Sequence, residues 1–368
     1  MNNKINIYEN KLAYIIIAMA LIGAVLLYNA SATLGINKFN NYSFFFTKHL
    51  IRLFISSLAL IFVYNIKYTF FKNNAFKILL LSWVIMILAY FFNDGSVTSR
   101  WLIINGKNLF TTSDFAKLAL IIYTAVFIEI NKNKINDLNL IIKNYAPIFL
   151  ITIILIFFQP DLSTSFAVSL IIISLLLIAG LKIKYALFPL IAASALIAVK
   201  ISNTPFQRLR FINWYNGEYN TQTENSINAL GNGGVFGVGY GNSIIKEGFL
   251  PEVHTDFILP IIGEEFGFIG ILLLFLLFIS FYIYGIKVCK SSPDIFSSML
   301  SLGIVLNILF YFLINASYVV GIFPTTGLPV PFFSYGGSHT LFNMISIGIL
   351  LNISKHANLY KYKFISYE

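Results

Sequence analysis

Apolar runs long enough to cross about 30 Å of hydrocarbon, roughly 20 residues each in helical form, recur along almost the whole chain. In lipid only helices and closed barrels satisfy their own backbone groups, and uninterrupted Leu, Ile and Phe runs lack the two-residue alternation of barrel strands. The sequence therefore predicts an all-α polytopic membrane bundle. Composition agrees, because 58% of the 368 residues are hydrophobic, 17% aromatic and only 11% charged, which is too apolar for a soluble domain of this length. Spans are expected near 12–34, 48–66, 76–92, 112–130, 145–158, 163–181, 184–200, 257–286, 296–320 and 339–354, about ten transmembrane helices in one integral-membrane domain.

Lysines orient these spans. From Lys4 and Lys11, through Lys67, Lys132, Lys182 and Lys287, to Lys355 in the tail, they fall on one side of the bundle. The positive-inside rule makes that side cytoplasmic and puts both termini there. The formal charge of +10 is then explained by loop orientation and anionic lipid headgroups, and no nucleic-acid partner is expected. Lys4 and Lys11 precede an apolar run closing on "NASA", but that run exceeds the 7–15 residues of a signal-peptide core, so a retained first helix is expected. The lone Cys289 excludes an intrachain disulfide framework. His49, His254, His339 and His356 lack metal-ligand spacing.

Polar chemistry collects on the predicted outer side, in a long loop at about 201–256 and in the loops 93–111 and 321–338. In "NTPFQRLRFINWYN" (203–216), Arg208 and Arg210 offer planar donor forks suited to a phosphate or pyrophosphate. The alternative is interfacial anchoring among Phe206, Phe211, Trp214 and Tyr215. "ALGNGGVFGVGYGNS" (229–243) is not a dinucleotide fingerprint, since Phe236 stands where the third glycine belongs and no parallel sheet surrounds it. Its glycines suit either a close backbone approach to substrate or another loop, or simple flexibility.

The stretch "EGFLPEVHTDFILPIIGEEFGFIG" (247–270) concentrates carboxylates. Pro251 breaks the chain and a helix is expected to begin near Thr255 or Asp256, so Asp256 is either its N-cap or, in apolar surroundings at the membrane surface, a general base. Glu264 and Glu265 follow about two and a half turns further in. Ionisable groups at such depth face the bundle interior and pair. Asp114 and Lys117, three apart on one helix face, are candidate partners in a buried network that fixes helix packing. A proton relay is the transport version of the same pattern. "FQPDLST" (158–164) and "PTTGLPVPFFSYGGSHT" (324–340) add irregular backbone on the outer side, which lipid tolerates only where it lines a cavity.

Five of these segments, "SRWL" (99–102), "SDFAKL" (113–118), "QPDLSTS" (159–165), "FLPEVHTDFILPIIGEEFGFIG" (249–270) and "TGLPVPFFSYGGS" (326–338), occur in the order found in the SEDS family of bacterial cell-wall polymerases, which the chain resembles. The glycine-rich loop followed by "KEGFLPEVHTDF" resembles the FtsW branch more than the RodA branch. The resemblance implies a peptidoglycan glycosyltransferase that inverts the anomeric centre while joining lipid II into glycan strands at the outer face of the bacterial cytoplasmic membrane, at the division septum. It implies that Asp256 is the general base, with Glu252 in support. Arg208 or Arg210 would offset charge on the leaving pyrophosphate, and Arg100, His254 and Ser334, which lie in matched motifs, would contact substrate. Asp114, Lys117, Glu264 and Glu265 keep the structural role. No cofactor is firmly implied, though a divalent cation, Mg or Mn, could share the pyrophosphate. Implied partners are lipid II, a class B penicillin-binding protein transpeptidase, other division proteins and membrane lipids.

The chain departs from the family in "TTSD" before Lys117, in Ser99 where an arginine is common, and in His339 where a second serine is usual. Three alternatives stay open: a RodA-type elongation polymerase, a lipid II flippase, and a scaffold for a transpeptidase. A flippase needs a pathway to the cytoplasmic face, whereas the polar motifs crowd onto one side. A scaffold needs no outer carboxylate.

Overall fold

The computed structural model describes residues 7–91, 101–104, 107–159, 161–185, 202–247 and 253–365, with isolated positions between 186 and 201. Helices α1 (Ile7–Phe39), α2 (Phe44–Tyr64) and α3 (Tyr68–Phe91) lead to a hairpin of β1 (Trp101–Ile104) and β2 (Lys107–Thr111). Helices α4 (Thr112–Ile130), α5 (Leu138–Phe158) and α6 (Leu162–Ile178) follow. Two shorter outer helices, α7 (Pro205–Tyr215) and α8 (Thr221–Gly233), precede the long α9 (Ile258–Ser291), α10 (Ile295–Val319) and α11 (Gly337–Ile365). The all-α membrane architecture is as expected, apart from the small antiparallel hairpin.

Helices stand at nine of the ten expected spans, and 184–200 lies largely outside the described residues. Six of them, α1, α2, α3, α5, α9 and α10, are long and apolar enough to cross a membrane by length and composition. The count of ten remains an expectation. The fifth helix starts earlier than expected, at Leu138, because the Asp137 carboxylate accepts the Asn139 N–H at 3.0 Å and a π turn at Ile141–Tyr145 continues into the apolar run.

α10 is the central post, packed by α9, α4, α6 and α11. Of its most apolar window 72% is buried, against 17% for α2, so α2 presents most of its surface to lipid. Exposed Phe54, Phe62, Leu81 and Leu273 belong to the same outer belt, which costs nothing where the solvent is hydrocarbon.

α9 is broken near its outer end. Gly267 has φ +65°, which frees the carbonyls of Glu264 and Glu265 and the N–H groups of Phe268 and Ile269 from the helical ladder. The glycine-rich loop takes them up. Val238 and Gly239 donate to the Glu264 and Glu265 carbonyls at 2.9 and 3.0 Å, and Phe268 and Ile269 donate to Gly234 and Val235 at 2.9 and 3.2 Å. A Cβ at Gly233 would lie 1.9 Å from the Gly263 carbonyl, and one at Gly237 2.1 Å from that of Glu265. Close backbone approach is thus what these glycines serve, though to the helix α9 and not to substrate or another loop. Beyond the kink α9 runs for about 36 Å, enough to span the hydrocarbon alone, so a span can form without the turns that carry Glu264 and Glu265.

Candidate functional site

Asp256 lies in the turn that delivers the chain into α9. The helix begins at Ile258 with Phe257 at the N-cap, so the expectation that Asp256 caps it is corrected. Its backbone carbonyl is fixed by α10, accepting from Asn315 Nδ2 at 2.8 Å and from Tyr318 Oη at 2.7 Å. The same two side chains hold the Leu328 carbonyl, at 2.6 and 3.2 Å. Asn315 and Tyr318 are fully buried one turn apart, so one helical face ties Asp256 to the loop 321–336.

That loop carries two further contacts. Arg210, half-buried on α7, donates from Nη1 to the Thr325 carbonyl at 2.9 Å. Two residues on, Gly327 has φ +72°, and a Cβ there would stand 3.1 Å from Asp256 Oδ2. Guanidinium and carboxylate therefore flank one short stretch of backbone. Burial pushes the Arg210 guanidinium down from its ordinary value, while the Asp256 carboxylate favours its charged form. Arg208 is exposed, since two residues along a helix turn a side chain about 200° away. Of the two expected arginines it is Arg210 whose charge is held by Asp256. α7 is secured by Trp214, whose Nε1 donates to the Gly321 carbonyl at 3.0 Å.

Other expected site residues are engaged within the fold. His254 is buried between Phe45 and Tyr335, at 4.6 and 5.3 Å between ring centroids. Ser334 accepts the Val330 N–H at 2.8 Å in a tight buried turn. Glu252 and Arg100 lie outside the described residues.

The expected ion network is two clusters. Asp114 and Lys117 pair at 3.1 Å, as anticipated, with Thr111 donating to Asp114 at 2.6 Å and His339 Nδ1 at 3.7 Å. Lys117 also lies over the Tyr311 ring, 3.9 Å from its centroid. Glu264 and Glu265 do not join them. Glu265 pairs instead with Lys246, at 2.9 Å, and accepts from Asn29 of α1. Glu264 accepts from the Ser243 hydroxyl and, at 3.4 Å, from the Ile245 N–H. The glutamates therefore lock the end of the glycine-rich loop to the α9 kink. This corrects the expectation of Asp114 and Lys117 as their partners: residues of the loop reach the glutamates first.

Sequence reading missed Lys246, Asn315 and Tyr318. Lys246 was detectable as a cation on the side where positive charge is sparse. Asn315 and Tyr318 were detectable as hydrogen-bonding groups three apart in an apolar helix. Among the described residues no three His, Cys, Asp or Glu side chains gather as metal ligands would.

Comparison with known proteins agrees with this architecture. The cell cycle protein family of FtsW, RodA and SpoVE matches residues 10–359. A probable peptidoglycan glycosyltransferase FtsW of Geobacter metallireducens is 30% identical, with 96% of this chain and 98% of the relative covered. The corresponding protein of Trichlorobacter lovleyi is 31% identical, covering 94% and 93%. Stage V sporulation protein E of Bacillus subtilis is also 31% identical, covering 94% and 96%. Among solved structures, a chain of a peptidoglycan synthase complex superposes with a TM-score of 0.76 at 19% identity, covering 94% of this chain and 97% of that one. The rod shape determining protein RodA of Thermus thermophilus gives 0.71 at 19% identity, covering 94% and 95%.

Proposed function

The chain belongs to the cell cycle protein family of FtsW, RodA and SpoVE, and from that premise we propose that it is a peptidoglycan glycosyltransferase polymerising lipid II at the outer face of the bacterial cytoplasmic membrane. The observation that carries this reading is the placement of Asp256 and Arg210 on either side of Thr325–Gly327, at the outer end of the bundle.

In the proposed reaction the Asp256 carboxylate takes the proton from an acceptor sugar hydroxyl. The hydroxyl oxygen bonds to the anomeric carbon of the donor from the face opposite the lipid pyrophosphate. The bond from that carbon to the phosphate oxygen breaks, the electron pair leaves with the pyrophosphate, and the anomeric centre inverts. Water then removes the proton from Asp256. Positioned general-base catalysis is worth roughly 10²–10⁴-fold. Arg210 faces the developing negative charge of the leaving group, where a preorganised guanidinium needs little reorganisation. Glu252 is assigned a supporting role through the family motif alone. The described residues supply one carboxylate here beside a guanidinium, a donor set that does not fit an all-protein cation site, so no step runs through a divalent cation.

A septal role is proposed from the FtsW-like glycine loop and from relatives named FtsW. A class B penicillin-binding protein and other division proteins are the proposed partners, in keeping with the synthase complex that shares the fold. The test is to reconstitute the protein in liposomes with lipid II, with and without its transpeptidase, and to measure glycan polymer and lipid II translocation together. Polymer is the expected product. Translocation without polymer would make the protein a flippase, and neither activity would make it a scaffold.

A further inference from the structure

The glycine-rich loop 234–246 has inverted polarity. Ser243 and Lys246 are buried and turn inward, to Glu264 and Glu265. Val235, Phe236, Val238, Tyr240 and Ile244 turn outward, Phe236 with 80% of its surface exposed. Because the Gly234 and Val235 carbonyls bond Phe268 and Ile269 of α9, this apolar patch runs on into the exposed Phe268 and Leu272 of that span. A loop surrounded by water has the opposite arrangement, polar side chains outward and apolar ones inward.

Irregular backbone is kept out of hydrocarbon by its unpaired polar groups, and under this patch those groups are paired. Gly237 donates to the Gly233 carbonyl at 2.8 Å, Val238 and Gly239 donate to α9, and the Val238 carbonyl accepts from Asn242 Nδ2 at 3.1 Å. Depth follows from α9 itself. Lys287 and Lys290 mark its cytoplasmic end. The stretch 268–286, between Lys287 and the kink, covers about 28 Å, against about 30 Å of hydrocarbon. The kink therefore falls at the opposite hydrocarbon boundary, and the loop bonded to both sides of it falls there too.

We propose that this loop is a membrane-inserted segment, with Val235, Phe236, Val238 and Ile244 seated among the acyl chains of outer-leaflet phospholipids. Tyr240 suits the same boundary, its ring in the apolar layer and its hydroxyl toward the headgroups. The partner is lipid and not a transmembrane helix of another protein. Helices associate in lipid through small residues that let backbones approach, whereas the outward side chains here are bulky and the closely packed glycines, Gly233 and Gly237, are engaged with α9. Seating in the leaflet fixes the depth of the α9 kink and of the Lys246–Glu265 pair beneath it. The inference is independent of the polymerase reading, since no substrate enters it.

The test is nitroxide depth measurement on the full chain in phosphatidylcholine nanodiscs. In a Cys289→Ser background, Phe236→Cys and Val235→Cys carry the label in turn, each variant shown folded by gel filtration. Leu273→Cys, on the exposed apolar face of α9, and Glu224→Cys, exposed on α8, are the lipid and water references. Collisions of the nitroxide with oxygen, which concentrates in hydrocarbon, and with a water-soluble nickel chelate are then compared. At both loop positions oxygen collisions are expected to match those at the Leu273 position, and nickel collisions to be lost relative to the Glu224 position, placing the labels about 5–10 Å into the apolar boundary. Nickel collisions equal to those at the Glu224 position would put the loop in water and overturn the proposal. Loss of both oxygen and nickel collisions would mean that protein, such as a second copy of this chain, covers the patch, and would overturn it equally.

Discussion

Arg210 and Asp256 flank the same three residues of backbone: Arg210 donates to the Thr325 carbonyl at 2.9 Å, and Gly327 leaves room for Asp256 Oδ2. Neither group is placed by its neighbouring helix alone. Asp256 is held through its carbonyl by Asn315 and Tyr318, and Arg210 rides on α7, anchored by Trp214. The relationship depends on the loop, which makes the loop a sensitive place to perturb it.

Gly327→Ala tests that dependence. The new methyl would stand 3.1 Å from the carboxylate, at a φ of +72° where an L-residue costs about 1–2 kcal/mol. Displacement of a reacting group by even about 1 Å can cost around 10²-fold. The expected outcome is a fall in polymerisation of at least about tenfold with a modest loss of thermal stability. Wild-type turnover in a folded Gly327→Ala protein would show that Asp256 is not confined as described.

Tyr318→Phe removes one of the two donors to the Asp256 carbonyl, at a cost of about 1 kcal/mol. Adding Asn315→Leu strands the carbonyls of both Asp256 and Leu328, each costing about 1–3 kcal/mol. Because the two side chains share both acceptors, the double variant should lose more than the sum of the singles. Additive denaturation midpoints would contradict the shared clamp.

The two ion clusters should be energetically independent. Lys246→Met leaves Glu265 buried without its cation, which should destabilise by about 3–5 kcal/mol, and Glu265→Gln in that background should recover part of the loss. Lys117→Met disturbs Asp114 and Tyr311 and no residue of the Glu265 cluster, so the Lys246 and Lys117 variants should add within about 0.5 kcal/mol. Strong coupling between them would restore the single network that the sequence suggested.

Gly231 and Gly233 make a matched pair in α8. A methyl at Gly231 meets nothing within 4 Å, whereas at Gly233 it would meet the Gly263 carbonyl at 1.9 Å, backbone against backbone. Gly231→Ala should be neutral or stabilising by up to about 1 kcal/mol. Gly233→Ala should undock the glycine-rich loop from the α9 kink and lower the unfolding temperature sharply. Equal stability of the two variants would refute that docking.

The sequence made the membrane bundle legible because hydrocarbon thickness fixes span length. The Asp114–Lys117 pair was legible for the same kind of reason, since a three-residue spacing on a helix is local. Partnerships across the fold were not. Glu265 finds Lys246 19 residues away and Asn29 236 residues away, and neither distance leaves a periodic trace. The choice between Arg208 and Arg210 needed the direction of α7, which its own residues do not reveal. Asp256 looked like an N-cap because Thr and Asp are good caps, but the tertiary clamp from α10 moves the helix start to Ile258.

Asp256 is the centre of the proposed reaction. Its carboxylate is the part that Asn replaces, while the carbonyl bound by Asn315 and Tyr318 is unchanged, so Asp256→Asn should fold and still bind its partner. With purified lipid II and the cognate transpeptidase, wild type should form glycan strands and the folded Asp256→Asn protein should form at least about 10²-fold less. Equal polymer from the two proteins would contradict the assignment of Asp256 as the base.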